Sequence, residues 1–405
     1  MAPPRTPYDA VLHAARDVTR LDSALDAEML GAALLGSVYA IAESDRNAAI
    51  REFVTGFLAA TARRRTAAAT TIRSVFAALV PDADGAERVR PGSQAPAWSG
   101  QLGRVHLTGT WAYGDVYGDQ TSYLATFAYD DAAGGPEHAL VALVDHNIGI
   151  TKDVFVGGPA GQILEQVRQM CAADELTWFR EEDPARMRGE VVRHLTITDD
   201  LSELPSAGAL ATDRALAGAR LAVLPTQSVP AARGAEPLST NDRTDLLRSF
   251  LASPEAARAG LDTIDGPELA SLHFCLGLLL DHAESFPDAD PLRWSPAVAG
   301  LFLLDWVHRR AVLDMDDAAM LPRVLRAWAT YAARRRDLPA VAVTQTDAAI
   351  EEMVPEFARL YSTGERRSPA TAAVAELMAD GVDPDDPEAL NTWIEANRHR
   401  LTDLD

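Results

Sequence analysis

The sequence predicts a mostly α-helical protein with a central α+β unit, from its length, its alanine-rich composition and a change of hydrophobic period in mid-chain. At 405 residues, the chain is longer than one hydrophobic core usually spans, so two or three domains are expected. Apolar residues make up 47% of it and charged residues 24%, as in globular proteins. Three parts are predicted: an N-terminal helical unit, a short antiparallel β-meander with helices, and a C-terminal helical bundle.

The N-terminal helical unit is predicted over residues 1–81. Apolar residues recur at helical spacing in AEMLGAALLGSVYAIAE, AAIREFVTGFLAATARRR and TTIRSVFAALV, and the pattern ends at Pro81. The next stretch, PDADGAERVRPGSQAPAWSG, is rich in Pro, Gly and small polar residues and shows no period. We interpret it as a linker or a long surface loop, which predicts a domain boundary near 82–100.

The α+β domain is predicted over residues 100–225. Alternating, β-branched and aromatic residues predict four strands in RVHLTGTWAY, TSYLATFAYD, HALVALVD and DVFV, with turn-forming residues between them. Four short strands in sequence favour an antiparallel meander. After them, GGPAGQILEQVRQMC predicts a helix, ELTWF a possible fifth strand, and PARMRGEVVRHL another helix.

The C-terminal helical bundle is predicted over residues 243–405. The stretch TQSVPAARGAEPLSTND at 226–242 breaks the helical pattern and predicts the second boundary. Ser295, Ser368 and Asp386 each precede a proline, which places a capping side chain just before the first helical residue. The runs between them carry an apolar face of Leu, Val, Trp and Phe, so packing as a bundle is expected.

The C-terminal part resembles the same part of actinobacterial proteins of unknown function. The resemblance lies in DPLRWSPAVAGLFLLDWVHRR, LPRVLRAWATYAARRR and LMADGVDPDDPEALNTWIE, within the last third of the chain. It implies a helical bundle and an actinobacterial source, and no activity. Some of the proteins that it resembles carry an extra cysteine-rich metal motif, which two cysteines cannot form.

Charge and composition indicate which kinds of partner and which cellular compartment are expected. A net charge of −22 repels phosphate backbones and anionic lipid headgroups, so neither nucleic acid nor a membrane is expected as a partner. Cys171 and Cys275 each lie in an apolar helical pattern, which favours buried thiols in a reducing compartment. MAPPRTPYDA lacks the apolar core of a signal peptide, and the longest strongly apolar run, 272–280, is shorter than the roughly 20 residues of a membrane helix. A cytoplasmic protein with a possible protein partner is expected.

The turn DHNIGITKD at 145–153 holds the only lysine among 37 basic residues. An ammonium is compact and loses its proton when it is buried, unlike a guanidinium. Asp145, His146, Lys152 and Asp153 are therefore candidate catalytic or ligand-binding residues, with Lys152 predicted in a partly buried polar pocket beside the meander. The alternative is an ordinary strand-end salt bridge from Lys152 to Asp153 or a neighbouring carboxylate.

The stretch DVFVGGPAGQILEQV resembles the strand, glycine turn and helix that bind pyrophosphate in acetyl-CoA-dependent N-acetyltransferases. The resemblance implies that Gly157, Gly158 and Gly161 are candidate cofactor-binding residues. Two positions depart from the pattern: Phe155 stands where a basic residue or Gln is usual, and Pro159 removes one N–H donor. The alternative is a tight turn between a strand and a helix.

No sequence motif for metal binding, phosphate binding or a catalytic nucleophile indicates a particular reaction. His106, His138 and His146 all fall in the β region, but their spacing does not show that they converge, and no metal site is predicted. The chain has neither a P-loop nor a G-x-S-x-G turn. The favoured interpretation is a non-catalytic interaction or regulatory protein without a cofactor. The alternative is an enzyme with its site where the meander meets the helix, namely a CoA-dependent acyltransferase.

Overall fold

The computed structural model describes residues 6–205, 209–226, 238–286, 290–382 and 386–401. The chain divides into two compact units, Met1–Ala231 and Ala232–Asp405. In the described residues, the first unit combines helices with one sheet and the second is helical. This confirms the predicted fold class.

Helices and strands of the first unit follow the predicted order. The helices are α1 (Pro7–Ala14), α2 (Ala24–Ile41), α3 (Arg46–Thr61), α4 (Ala67–Leu79), α5 (Ala160–Ala173), α6 (Pro184–Asp199) and α7 (Ala209–Leu221). The strands are β1 (Val105–Asp115), β2 (Gln120–Tyr129), β3 (His138–Asp145), β4 (Ile150–Gly157) and β5 (Thr177–Glu181). All four strand pairings are antiparallel, in the order β4-β3-β2-β1-β5, so the predicted meander is present and the fifth strand extends it at β1.

The predicted boundary near 82–100 does not separate two compact units. Helices from residues 1–81 share one hydrophobic core with the sheet. Within the supposed linker, Trp98 is buried, and its indole N–H donates to the carbonyl oxygen of Leu21 at 2.7 Å. Proline and glycine shape this loop, whereas one tryptophan fixes it to the core.

The second predicted boundary, 226–242, falls largely on residues 227–237, which lie outside the described residues. The described part from residue 238 leads into α8 (Thr240–Leu251). The hydroxyl of Ser239 caps this helix by accepting a hydrogen bond from the amide of Asp242 at 3.2 Å.

Helices pack on both faces of the sheet. Alternate side chains of β2 and β3, such as Phe127 and Leu140, face the large core formed with α2, α6 and α7. On the other face, α5 covers Leu124 with its own Val167 and Cys171. Cys171 and Cys275 are both buried free thiols.

Side chains of α6 and α7 form hydrogen bonds with backbone groups of the edge strand β4. The hydroxyl of Thr198 accepts from the amide of Thr151 and donates to its carbonyl oxygen, each at 3.0 Å. A carboxylate oxygen of Asp213 accepts from the amide of Val156 at 2.9 Å. These bonds occupy an edge that would otherwise be open to pairing with another strand.

Helix α2 is the one helix of the described residues that is long and apolar enough to cross a membrane. Half of its 18 residues are buried within the first unit, where α2 packs on α3, α4 and α7. It also carries the buried acid Glu28. Helices in the cores of globular domains have the same length and composition.

The second unit is built from helices around a separate core. After α8 these are α9 (Pro254–Arg258), α10 (Pro267–Glu284), α11 (Pro296–Leu301), α12 (Val307–Arg310), α13 (Met315–Arg335), α14 (Ala340–Thr363), α15 (Pro369–Ala379) and α16 (Pro387–Leu401), with the π-helical segment Phe302–Trp306 between α11 and α12. The three predicted caps are confirmed, because Ser295, Ser368 and Asp386 each accept a hydrogen bond from a first-turn amide. Trp294 and Trp328 are among the largest fully buried side chains of this core.

Candidate functional site

Lys152 lies at a β-bulge near the start of β4. The register between β3 and β4 shifts there, and Lys152 is the extra residue. Its Nζ is 3.7 Å from Oδ2 of Asp145, and its side chain is 44% exposed. Asp145 is nearly buried and also accepts hydrogen bonds from Gln120 Nε2 and the amide of Asn147, each at 3.0 Å. The structure therefore shows a half-exposed ion pair at the strand end, and a functional role for Lys152 stays a prediction.

The other two residues predicted with Lys152 make separate contacts. Nε2 of His146 lies 3.0 Å from the hydroxyl of Thr121, and its ring meets that of His194 on α6 edge to face at 5.8 Å. Asp153 accepts a hydrogen bond from the amide of Val154 at 2.8 Å. Asp145 and Lys152 are thus brought together, while His146 lies against α6.

The glycine turn at the end of β4 leads into α5 as predicted. Gly157 ends the strand, Gly158 follows it, and Gly161 lies in the first turn of the helix. The first helical amide, that of Ala160, already donates to the carbonyl oxygen of Glu137 at 3.1 Å. A pyrophosphate turn needs such amides free. The strand after α5 also pairs at the opposite edge of the sheet from β4.

The three histidines of the β region do not converge. His106 is exposed, 3.4 Å from Asp130, whereas His138 is buried beside Arg220. Among the described residues there is no group of three or more His, Cys, Asp or Glu side chains that could hold a metal ion.

A buried cluster of charged and polar groups joins α2, α7 and the sheet. Arg220 donates through Nη2 to Glu28 at 2.5 Å and to the hydroxyl of Tyr129 at 2.9 Å, and through Nε to Nε2 of His138 at 2.8 Å. The amide of Gly103 donates to the second oxygen of Glu28 at 2.6 Å. Burial and the adjacent Arg220 charge lower the pKa of His138 to about 4, so its ring is neutral at pH 7. We call this set the Glu28–Arg220 cluster.

A groove in the second unit is lined by α13 and α14, with residues of α9 at one end. Its volume is about 1090 Å³. The floor and walls are small or apolar side chains, with Phe357 and Tyr361 as the largest. They include Ala318, Ala319, Pro322, Ala327, Val343, Val354 and Ala358. Pro322 lies inside α13 and has no N–H, so the carbonyl of Ala318, four residues earlier, loses its helical donor at the groove wall.

Three arginines and two carboxylates line the rim of this groove, which we call the α13–α14 groove: Arg258, Arg323, Arg326, Glu255 and Asp347. Arg326 holds Asp347 through two hydrogen bonds of 2.7 and 2.8 Å. At the α9 end, Glu255 is bound by both Arg258 and Arg334. Arg323 donates only to two carbonyl oxygens and, among the described residues, has no carboxylate within 4.0 Å. The α9 end is therefore locally positive in a chain whose net charge is −22.

His282, on α10, is enclosed by four aromatic rings. The ring centroids of Phe286, Trp294, Phe302 and Trp306 lie 5.0–5.7 Å from that of the imidazole. Neither ring nitrogen has a hydrogen-bond partner among the described residues. A cavity beside it has a volume of about 10 Å³, which is the lower limit for a single water. Burial lowers the pKa of His282 to about 4.

Replacing His282 with leucine should therefore leave the second unit as stable at pH 7, or up to about 2 kcal/mol more stable, because an unsatisfied buried polar group is removed. In the parent, the unfolded chain binds a proton below pH 6.5 and the folded chain only near pH 4, so stability falls as the pH is lowered through that window. The variant should not show this fall in stability, which amounts to about 3 kcal/mol at most. Thermal melts at pH 7 and pH 5 measure both effects.

His273→Leu is the matched control, since His273 is exposed on the same helix. It should change the stability at pH 7 by no more than about 0.5 kcal/mol. A loss of more than about 2 kcal/mol in His282→Leu at pH 7 would show instead that the imidazole is hydrogen-bonded.

Sequence reasoning did not single out the α13–α14 groove. The sequence signals for this groove were a proline inside the helical run LPRVLRAWATYAARRR and alanines on the same helical face as the proline.

No family model, curated protein or solved structure matches this chain.

Proposed function

We propose that this protein is a non-catalytic interaction protein whose second unit binds an acidic amphipathic helix of a protein partner in the α13–α14 groove. The observation that carries the proposal is an open groove with a small-residue, apolar floor beside a positive rim. Helix-in-groove recognition uses this combination: apolar anchors of the ligand pack on the floor, and flanking charges set the orientation.

The dimensions of the groove suit a helix of about three turns. Its lining residues on α13 run from Ala318 to Thr330, which spans about 18 Å at 1.5 Å per residue. A ligand helix of the same length has about twelve residues and presents apolar side chains at i, i+3, i+4, i+7 and i+11. The alanines allow a close approach of the two helix backbones.

The charges of the rim select an acidic ligand. Arg323 has no acidic partner among the described residues, and Arg258 and Arg334 share one carboxylate, Glu255. Acidic side chains beside the apolar stripe of a ligand helix could pair with Arg258 and Arg323. Since rim charges lie near solvent, their main effects are on orientation, on the association rate and on the choice of partner.

The ionisable groups of the groove also support binding more than catalysis. Arg326 and Asp347 are paired with each other, and Glu255 is held by two guanidinium groups that lower its pKa against the opposing effect of burial. Arginine stays protonated at working pH and does not exchange protons in general acid–base catalysis. These side chains hold fixed charges along an apolar surface.

The test uses two 14-residue helical peptides that share one leucine and alanine stripe, one flanked by glutamates and the other by lysines. Fluorescence anisotropy with the full chain should show at least about tenfold tighter binding of the acidic peptide, equivalent to about 1.4 kcal/mol. Ala319→Glu should weaken that binding by about tenfold or more, because Ala319 is exposed in the groove. Arg323→Gln should reduce the preference for the acidic peptide.

Ala348→Glu provides the matched control, because Ala348 is an exposed alanine of α14 that does not line the groove. Its affinity should equal that of the parent. Equal binding of both peptides, or indifference to Ala319→Glu, would overturn the proposal. A thermal-shift measurement with acetyl-CoA distinguishes this proposal from the acyltransferase alternative. A ligand at 100 times its Kd stabilises a protein by about 2.7 kcal/mol. We expect no shift in the melting temperature with acetyl-CoA.

A further inference from the structure

A cleft in the first unit lies among α3, α4, α6 and α7, and Arg220 of the Glu28–Arg220 cluster also lines it. Its volume is about 800 Å³, within the range of small-ligand pockets. One stripe of α6 runs along it: Arg188, Val192, Leu195 and Asp199, at helical spacings of three and four residues. The stripe spans about 16 Å at 1.5 Å per residue.

One end of the cleft is acidic. Asp45 and Asp200 line it, and neither has an ion-pair partner among the described residues. Arg46, which follows Asp45 at the start of α3, donates to the carbonyl oxygens of Asp199 at 3.3 Å and Ser202 at 3.1 Å. The start of α3 therefore lies against the end of α6, which brings the two acidic residues to the same end of the cleft.

The opposite end is basic. Arg188 donates through Nη1 to the carbonyl oxygen of Leu224 at 2.6 Å, and no carboxylate of the described residues lies within 4.0 Å of its guanidinium. This half-buried cation keeps most of its five N–H donors for a ligand. A guanidinium binds a carboxylate through two parallel hydrogen bonds.

The middle of the cleft is largely apolar. Val192 and Leu195 form one side, and small residues of α7 form the other. Asp199 holds Arg214 through Nε at 2.9 Å and Nη2 at 2.5 Å. A Cβ at Gly218 would lie 3.0 Å from Nη1 of Arg214, so a glycine at this position leaves room for the guanidinium.

We propose that this cleft binds an extended oligopeptide of about five residues, with its N-terminal ammonium at Asp45 and Asp200 and its C-terminal carboxylate at Arg188. An extended chain advances about 3.3 Å per residue, so five residues span the distance between the charged ends. The apolar middle accepts aliphatic side chains. This site is independent of the α13–α14 groove, because all of its residues lie in the first unit.

Isothermal titration of the full chain with a pentapeptide of alternating alanine and leucine tests the proposal. The peptide with free termini should bind, and amidating its C-terminus or acetylating its N-terminus should each weaken binding at least fivefold. An alanine–leucine dipeptide, which cannot reach both ends, should bind at least tenfold more weakly than the pentapeptide.

Two variants assign each terminus to its end of the cleft. In Arg188→Gln, C-terminal amidation should change the affinity less than twofold, and in Asp200→Asn the same should hold for N-terminal acetylation. Arg186→Gln is the control, since Arg186 is an exposed arginine of α6 that does not line the cleft, and it should keep both effects. No binding at millimolar peptide, or equal penalties for blocking in variant and parent, would overturn the proposal.

Discussion

Arg220→Met is expected to lower the free energy of unfolding of the first unit by about 3–5 kcal/mol, because it leaves a buried carboxylate without its cation. Both Glu28 and Arg220 have side chains that are 1% exposed. The substitution also removes the donors to Tyr129 and His138. In a domain of this size the melting temperature should fall by roughly 6–20 °C, which calorimetry or near-UV circular dichroism measures.

Arg51→Met is the control for this prediction. Its partner is Asp82 at 3.4 Å, and the two side chains are 45% and 63% exposed. An exposed pair of this kind contributes about 0–1 kcal/mol. A loss no larger in Arg220→Met than in Arg51→Met would contradict the assigned role of the Glu28–Arg220 cluster.

Trp328→Ala should lower the free energy of unfolding of the second unit by about 3–5 kcal/mol, the usual cost of truncating a fully buried tryptophan. Trp328 packs against Phe250 and Tyr331 at centroid distances of 5.0 and 5.8 Å, and its indole N–H donates to the carbonyl oxygen of Pro291 at 3.1 Å. The truncation leaves a cavity in the core, and the Pro291 carbonyl keeps only the hydrogen bond from the indole N–H of Trp294 at 2.9 Å.

Calorimetry of the same variant tests whether the two units unfold separately. Each has its own core, so Trp328→Ala should move one transition and Arg220→Met the other. Val341→Ala, at a partly exposed position of α14, should shift neither by more than about 0.5 kcal/mol. Equal displacement of both transitions by Trp328→Ala would contradict separate unfolding.

Local features of the chain were readable from its sequence. Alternation of residue types predicted the strands of the meander, and Ser295, Ser368 and Asp386 predicted three helix starts, because both signals depend on near neighbours in the chain. The helical spacing of apolar residues likewise predicted α2, α3 and α4.

Contacts between residues that are far apart in the chain could not be predicted from the sequence. Glu28 and Arg220 are 192 residues apart in the chain. Tyr39 lies 160 residues from Asp199, and its hydroxyl donates a hydrogen bond to that carboxylate at 2.8 Å. No periodicity links such positions. For the same reason the composition of 82–100 suggested a linker, although Trp98 packs in the core.

The candidate sites were predicted only in part. The alternative for Lys152 was a salt bridge to Asp153 or a neighbouring carboxylate, and the structure shows an ion pair with Asp145. The α13–α14 groove depends on how two helices pack and on which small residues face the space between them. Sequence periodicity identifies an apolar face but does not show whether a neighbouring helix covers it.

Hydrogen exchange of the full chain, with and without the acidic 14-residue peptide, tests the proposed groove most directly. Binding should slow exchange in the groove-facing turns of α13 from Ala318 to Thr330 and in α14 from Val343 to Tyr361. Ala319→Glu should abolish this protection and Ala348→Glu should preserve it. Protection that appears only outside these segments, or none at saturating peptide, would contradict the groove as the binding site.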